Sequence, residues 1–311
     1  MKQFSVLKPI FLLLLACVML ACDASALTPA PTEAPVVTSA PVETSAPVAE
    51  TEISLEAVAT PVVTEVPLPT LPPTPSPSPE PTPTPEPTPS PTPLPLSGVI
   101  IGIDPGHQLV YDPKPEPVSP GSSQTKKRVD GGCRGVKSGV YEYEVTLNVG
   151  LKLRDLLEEQ GATVVMTHDT LDVNISNAER AQMFNEANVD LGIRLHCNKS
   201  EKRETRGAFM LVPTENRTKY YDYNVAAAKT ILEEYLAETG LPMRYKEGMT
   251  YRSDQTGFNW CTRPIINIEM GHLSNPDDDA LLSTDAFQQT MAQGLFNGVM
   301  RFFTEHGRPA Q

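Results

Sequence analysis

The chain has 311 residues with a formal net charge of −13, and it contains 32 prolines and five cysteines. This acidic balance argues against a nucleic-acid-binding protein, which normally carries a basic face. Most of the prolines lie between Pro29 and Pro95. About 210 residues after Ser97 therefore remain, which is enough for one sizeable domain.

Residues 1–22 have the composition of a secretory leader. Two lysines precede an apolar run at residues 10–21, which is short for a membrane span and is typical of a signal peptide. The sequence Met-Leu-Ala-Cys that ends at Cys22 resembles a bacterial lipobox and predicts a lipid anchor on Cys22. A competing match ends at Cys17, and a plain cleaved signal peptide is the other alternative.

Residues 23–97 are rich in Pro, Thr, Ser and Glu and contain no Lys or Arg. Because proline lacks the backbone N–H and fixes φ, this composition predicts a disordered linker without helices or sheet ladders. Seventy residues in a polyproline-type conformation reach on the order of 200 Å, at about 3.1 Å per residue. Such a stalk would lift a domain from a membrane into a surrounding wall, and a tail without a spacing role is the alternative.

Residues 98–308 are predicted to form one folded domain. The apolar run at 99–103 predicts a buried strand, which ends at Asp104-Pro105-Gly106. Further strands are predicted at 163–167, 191–195, 207–212 and 265–268, and helices at 143–160, 177–188, 218–238 and 284–303, with another helix N-terminus at Asn275. Residues 108–139 and 246–262 are predicted loops, the first of them beside the site. This alternation predicts a single three-layer α/β domain with a mostly parallel sheet flanked by helices.

Three of the predicted strands end on side chains that suit metal chemistry, namely His107, His196 and Glu269. Open α/β sheets bind ligands at the carboxyl ends of their strands, so we expect these three residues to converge on one metal ion. Catalytic zinc typically has three protein ligands and one open position for water. Glu142 or Glu144, at the start of a helix, would supply the ligand carboxylate, and the chemistry alone does not choose between them. Structural histidines are the alternative.

Four separated blocks of the sequence resemble the zinc N-acetylmuramoyl-L-alanine amidases of the Amidase_3 family. The blocks are 103–107 (IDPGH), 139–142 (GVYE) with 147–148 (LN), 194–198 (RLHCN) and 268–276 (IEMGHLSNP). The resemblance extends over residues 99–304, which is nearly the whole predicted domain, and the blocks occur in the family's order.

The resemblance implies a Zn²⁺ ion on His107, Glu142 and His196, with Glu269 as the catalytic carboxylate. It therefore favours Glu142 over Glu144. It also implies hydrolysis of the amide between N-acetylmuramic acid and L-Ala of the peptidoglycan stem peptide, by zinc-activated water with Glu269 as general base. Together with the leader, it implies an extracytoplasmic enzyme anchored to the membrane at Cys22. Another zinc peptidase acting on the stem peptide and a non-catalytic wall-binding module are the alternatives.

Four further residues are candidates for substrate binding. Asn198 ends the His196 block, and Asn259, Trp260 and Arg263 lie in or next to the predicted loop before the Glu269 strand. The indole of Trp260 could pack against sugar or peptide, and Arg263 could pair with a stem-peptide carboxylate. Ordinary loop packing is the alternative for each of them.

The sequence also supports predictions for Asp104, His272 and the three cysteines of the predicted domain. Asp104 is expected either to hold a metal-bound histidine through its second ring nitrogen or to cap the turn. His272 stands where the family commonly has Phe or Tyr, and we expect a harmless surface exchange rather than an extra polar group near the site. Strand alternation predicts that Cys197 points away from the metal. A Cys133–Cys261 disulfide is conceivable in an extracytoplasmic protein.

Overall fold

The computed structural model describes residues 93–310, so the predicted leader, Cys22 and most of the predicted stalk lie outside the described residues. The strands are β1 (Ile100–Pro105), β2 (Asp112–Pro117), β3 (Thr125–Val129), β4 (Thr163–Met166), β5 (Leu191–Asn198), β6 (Phe209–Pro213), β7 (Met249–Arg252) and β8 (Ile265–His272). The helices are α1 (Glu142–Glu159), α2 (Asn177–Glu186), α3 (Tyr221–Thr239), α4 (Thr256–Trp260), α5 (Pro276–Leu282) and α6 (Asp285–His306), with a short 3-10 helix at Glu215–Arg217. Within this range, no helix combines the length and apolar character that a membrane span requires.

Six of the strands form one sheet in the order β4-β1-β5-β8-β6-β7. All neighbouring strands pair in parallel except β6 and β8, which are antiparallel. The predicted α/β fold with a mostly parallel sheet is therefore confirmed. Because β1, β5 and β8 are adjacent and parallel, their carboxyl ends meet at one edge of the sheet, as the sequence analysis required.

The two faces of the sheet are packed differently. On one face, apolar strand residues form the main core with α1, α3 and α6. On the other face, a smaller cluster packs beneath α2 and α4. Gly102 and Gly192 lie under the Phe184 ring on this second face, where an added Cβ would come within 2.6 and 2.8 Å of ring atoms. These glycines bring α2 close to the sheet and complete the three layers.

Both predicted loops contain regular structure, which corrects the sequence analysis. Residues 108–139 include the antiparallel β2–β3 hairpin, although β2 reads Asp-Pro-Lys-Pro-Glu-Pro. A two-stranded ribbon tolerates these prolines because each strand has a free edge that needs no ladder N–H. Residues 246–262 include β7, which pairs with β6 at the edge of the large sheet, and the short helix α4.

Candidate active site

Three side chains from distant parts of the chain meet at the carboxyl edge of the sheet. Nε2 of His107 lies 3.2 Å from Oε1 of Glu142, and Nδ1 of His196 lies 3.1 Å from the same oxygen. The three potential ligand atoms all lie within 4.8 Å of one another. The structure therefore brings three residues together: His107 just after β1, His196 on β5 and Glu142 at the start of α1.

The turn after β1 positions His107. His107 has a φ of 66°, an uncommon value for a residue with a side chain. Its Nδ1 donates to the carbonyl of Asp130 at 2.8 Å, which leaves Nε2 facing Glu142. The preceding Gly106 allows β1 to pass close to β5, since an added Cβ there would lie 2.5 Å from the His196 ring.

The structure also distinguishes the two glutamates at the start of α1. Glu142 is 3% exposed, and its two carboxylate oxygens accept the backbone N–H groups of Cys197 at 3.0 Å and Cys133 at 2.9 Å. Glu144 instead accepts the N–H of Tyr141 at 2.8 Å and caps the helix. Glu142, and not Glu144, therefore faces the two histidines, while metal binding by the three residues stays a prediction.

The donor set fits a divalent metal ion that prefers imidazole and carboxylate ligands. The three potential ligand atoms are close enough together to bind one ion, and the contacts of 3.1 and 3.2 Å from Glu142 are also ion-pair distances. Nε2 of His196 is buried without a hydrogen-bond partner among residues 93–310. The described part of the chain therefore leaves one ring nitrogen of His196 without a hydrogen-bond partner.

Among His107, Glu142 and His196, the charges favour an ion pair between His107 and Glu142. Burial opposes the charged forms of Glu142 and His107, but their mutual attraction outweighs it. The pKa of Glu142 is held well below its usual range, and the pKa of His107 is raised. For His196, burial dominates and lowers the pKa to about 4, so this imidazole is neutral at pH 7.

Glu269 lies beside this group on β8, where its Cα is in register with that of His196. It borders a cavity of about 430 Å³ that both histidines also line. Burial, followed by the negative charge of Glu142, raises the pKa of Glu269 to about 8. The remaining cavity lining is mostly polar and includes Lys126, Lys127, Asp130, Arg194, Gln255, Thr256 and Asn267. The arrangement places one carboxyl group next to a potential metal site in an open cavity.

Comparisons with known proteins agree with this geometry. Residues 101–301 match the Amidase_3 family, described as N-acetylmuramoyl-L-alanine amidase. The chain belongs to this family. It is 30% identical over 234 residues to the germination-specific N-acetylmuramoyl-L-alanine amidase of Bacillus subtilis, covering 70% of this chain and 85% of the relative. A second relative, an N-acetylmuramoyl-L-alanine amidase of Mycobacterium tuberculosis, is 25% identical over 233 residues, which are 68% of this chain and 90% of the relative.

A solved structure has the same fold as this amidase domain. The crystal structure of an N-acetylmuramyl-L-alanine amidase from Mycobacterium smegmatis superposes with a TM-score of 0.62 at 24% identity. The superposition covers 68% of this chain and 99% of that chain. The similarity therefore extends over the whole of the solved chain.

In this amidase domain Asp104 contacts neither His107 nor His196, and neither sequence expectation for it is correct. Its carboxylate accepts hydrogen bonds from Arg180 at 2.6 Å and from Arg194 at 2.7 Å. Burial alone would raise the pKa of Asp104, but the two guanidinium groups hold it far below its usual range. Arg180 also donates to the backbone carbonyl of His107 at 3.1 Å. Asp104 thus supports the His107 turn through Arg180, a link that sequence spacing does not reveal.

The four candidate substrate-binding residues do not line the cavity. Asn198 accepts the N–H of Lys199 through its side chain. Asn259 and Trp260 donate to the carbonyls of Val118 and Pro117, so they hold the end of β2 and the residue after it. Arg263 donates to the carbonyl of Val189, near the amino ends of the strands. A role for the four in substrate binding stays a prediction.

The structure also tests the expectations for three cysteines and for His272. Cys133 and Cys261 are free thiols among the described residues, so the conceivable disulfide is not formed. Cys197 is buried in the apolar core on the side away from His107, Glu142 and His196, as alternation predicted. His272 is also buried, and its Nδ1 donates to the carbonyl of Gly207 at 3.0 Å. It is therefore no surface residue, and it does not line the cavity.

Proposed function

We propose that the chain is a zinc-dependent N-acetylmuramoyl-L-alanine amidase. Its substrate is the amide bond between the lactyl group of N-acetylmuramic acid and L-Ala of the peptidoglycan stem peptide. The observation that carries the proposal is the convergence of His107, Glu142 and His196 beside Glu269, in a domain of this family. Zinc is favoured because two imidazoles and one carboxylate are a common catalytic zinc ligand set.

The three ligand residues would hold the ion, and the surrounding backbone would orient them. A zinc ion held there lowers the pKa of water towards ~7 and polarises the amide carbonyl. The Asp130 carbonyl fixes the ring of His107, and two backbone N–H groups fix the carboxylate of Glu142. Such outer partners typically set both ligand orientation and affinity.

Glu269 would act as the general base and then as the general acid. Its carboxylate accepts the proton of the attacking water and later delivers it to the departing amine of L-Ala. Its pKa of about 8 lies close to a neutral working pH, where a group can serve in both directions. A cation held by the neighbouring ligands favours the ionised carboxylate that the first step requires.

The test is digestion of purified peptidoglycan by the zinc-loaded protein, with and without a chelator. We expect new amino termini on L-Ala while the glycan strands stay intact, and we expect the chelator to prevent the new amino termini until zinc is restored. New amino termini within the stem peptide would instead identify the other zinc peptidase. Binding to the wall material without any hydrolysis would identify a non-catalytic module.

We further propose that Cys22 carries a lipid anchor and that residues 23–97 form the stalk through which the amidase domain reaches the wall. The lipobox-like sequence and the Pro-rich composition support this placement. Metabolic labelling with a fatty acid tests the anchor, since Cys22→Ser should abolish labelling and Cys17→Ser should retain it. The opposite result would assign the anchor to Cys17, and no labelling of the unaltered chain would indicate a plain signal peptide.

A further inference from the structure

Two buried arginines share the single carboxylate of Asp104, but they differ in how their N–H groups are satisfied. Each nitrogen of Arg180 donates to at least one acceptor: Asp104, Gln108 and the backbone carbonyls of Pro105, His107 and Ile175. Arg194 donates through Nε to Asp104 at 2.7 Å and through Nη2 to Asn177 at 2.7 Å. Its Nη1 donates to no acceptor among residues 93–310. Arg180 is therefore saturated, whereas Arg194 has donors left over.

The charges of this cluster are also unbalanced. Arg180 and Arg194 have side chains that are 5% and 6% exposed, and they face one carboxylate that is 1% exposed. Among the described residues, Arg194 forms an ion pair only with Asp104. Glu269 is not within ion-pair distance of Arg194, but the positive charge of Arg194 acts to lower the pKa of Glu269. Burying a charge is costly unless a partner of opposite sign is close. A second anion would complete this cluster.

The surplus charge is next to the reaction cavity. Arg194 lines the same cavity as Glu269, and its Cα is in register with that of Asn267, two residues before Glu269 on β8. Side chains two residues apart lie on the same face of a strand, roughly 7 Å from each other along it. Arg194 therefore lies about two residues along the strands from Glu269, towards their amino ends.

Gly257 of α4 packs closely against this guanidinium. An added Cβ at Gly257 would lie 2.7 Å from Nη1 of Arg194 and 2.8 Å from its Cζ. The third nearest heavy atom to that Cβ position, at 3.1 Å, is Nε of Arg194 as well. A side chain at this position would therefore crowd the unpaired end of Arg194 specifically.

We propose that Arg194 is a specificity-determining residue that donates to a carboxylate on the peptide arm of the substrate, about one residue beyond the scissile amide. The inference rests on the proposed function. In the stem peptide this position is the residue after L-Ala, whose carboxyl group is either free or converted to a carboxamide. A free carboxylate supplies the missing charge, whereas a carboxamide supplies a neutral carbonyl and an NH₂ group that faces the guanidinium unfavourably.

The experiment compares two synthetic N-acetylmuramoyl peptides that differ only in that group. For the unaltered zinc-loaded protein, we expect kcat/KM to be at least about tenfold higher for the carboxylate peptide, because charge-assisted hydrogen bonds are about twice as strong as neutral ones. We expect the same preference in the dissociation constants of the two peptides, measured by calorimetry with the zinc-loaded Glu269→Gln variant, which should turn them over only slowly. Equal values for both peptides would overturn the role of Arg194.

Two variants and two controls assign the preference to this residue. Gly257→Ala crowds Nη1 without removing any hydrogen-bond partner, and Arg194→Lys keeps the charge but loses the fork of donors. Both should reduce the preference to about threefold or less, with the zinc content and the circular dichroism spectrum unchanged. Lys127→Gln removes one of the two lysines on the cavity wall. Lys114→Gln removes an exposed charge on the same hairpin, with a side chain that is 79% exposed. Both controls should keep the preference, and its loss in Lys127→Gln alone would overturn the proposal.

The two readouts separate this inference from the proposed function. If the protein hydrolyses both peptides at equal rates and binds them equally, the amidase assignment stands and the Arg194 proposal fails. If it hydrolyses neither but binds the carboxylate peptide more tightly, and Gly257→Ala removes the difference, the amidase assignment fails and the anion site stands.

Discussion

The two faces of the large sheet are built from alternate residues of the same strands, yet they serve different purposes. The side chains of Ile103, Ile193 and Ile268 point into the main core, and each is 0% exposed. Their immediate neighbours Asp104, Arg194 and Glu269 point the other way, into a cluster of charged groups and a cavity. Successive side chains of a strand point to opposite faces, which makes this separation possible.

The comparison indicates that stability and chemistry are assigned to different faces of the same strands. The apolar face buries its side chains against three long helices. The polar face is covered only by two shorter helices and the β2–β3 hairpin, and it keeps an open cavity of about 430 Å³. Substitutions of the cavity-lining residues Glu269 and Asn267 on the polar face should therefore change activity with little effect on folding, and substitutions on the apolar face should do the reverse.

The largest expected effect on activity comes from Glu269→Gln. Loss of a general base that acts in two steps should lower kcat by about 10²–10⁴-fold, or roughly 3–5 kcal/mol. Zinc stoichiometry should stay at one, because Glu269 is not part of the ligand group. Steady-state kinetics and metal analysis on the same preparation provide the measurement.

Glu144→Gln is the matched control for that variant. Glu144 only caps α1 through the N–H of Tyr141, so its loss should cost at most about 1 kcal/mol of stability and leave kcat within twofold. Full activity of Glu269→Gln, or equal losses in both variants, would contradict the role assigned to Glu269.

On the opposite face, Ile193→Ala should affect folding rather than chemistry. Removing this fully buried side chain leaves a cavity in the core and should lower the free energy of unfolding by about 2–5 kcal/mol. Urea denaturation measures this change, and kcat and the zinc dissociation constant should be unaltered well below the midpoint. A large change in kcat without loss of stability would break the proposed division between the faces.

Gly106→Ala should act on the metal group itself. The added methyl would lie 2.5 Å from the ring of His196 and from the carbonyl of Leu195, so it should displace that imidazole. We expect zinc affinity to fall about 10–100-fold, which equals about 1.4–2.7 kcal/mol. Gly131→Ala is the control, because a Cβ there meets nothing within 4 Å. Equal zinc affinities of the two variants would argue against close contact between the β1 turn and His196.

The sequence predicted those parts of the site that depend on local patterns. His107 and His196 were found because each follows an apolar strand run, and parallel strands share one carboxyl edge. The choice of Glu142 over Glu144 required a family resemblance, because only the structure shows that Glu144 caps α1. Tyr141 precedes the helix in place of the usual Ser, Thr, Asp or Asn, so the cap had no clear signal.

Features that depend on long-range pairing were missed or misjudged. The three prolines of β2 favoured a loop, although a separate two-stranded ribbon can hold them. Asp104 pairs with Arg180 and Arg194, which are 76 and 90 residues away. The one available signal was Arg194 itself, a charged residue within an apolar strand run and two positions before His196. Because it shares the face of His196, that pattern already placed it beneath the metal group.

The last effect that we predict, about tenfold per pH unit, concerns proton competition at His107 in the proposed metal site. A metal ion binds neutral imidazole, so protonated His107 must lose its proton first. Burial opposes the protonated form, but Glu142 outweighs it and raises the pKa of His107 above its usual value. Zinc affinity should therefore be nearly constant above that raised pKa and fall about tenfold per unit as the pH drops below it. Calorimetry from pH 8 to pH 5 measures the slope.

His196, with a pKa of about 4, stays neutral over this range and contributes little. His306→Gln, which removes an exposed histidine remote from the metal group, should leave the slope unchanged. A constant affinity down to pH 5 would mean that Glu142 does not hold a proton on His107, and the polar face would then bind its metal without the competing ion pair described here.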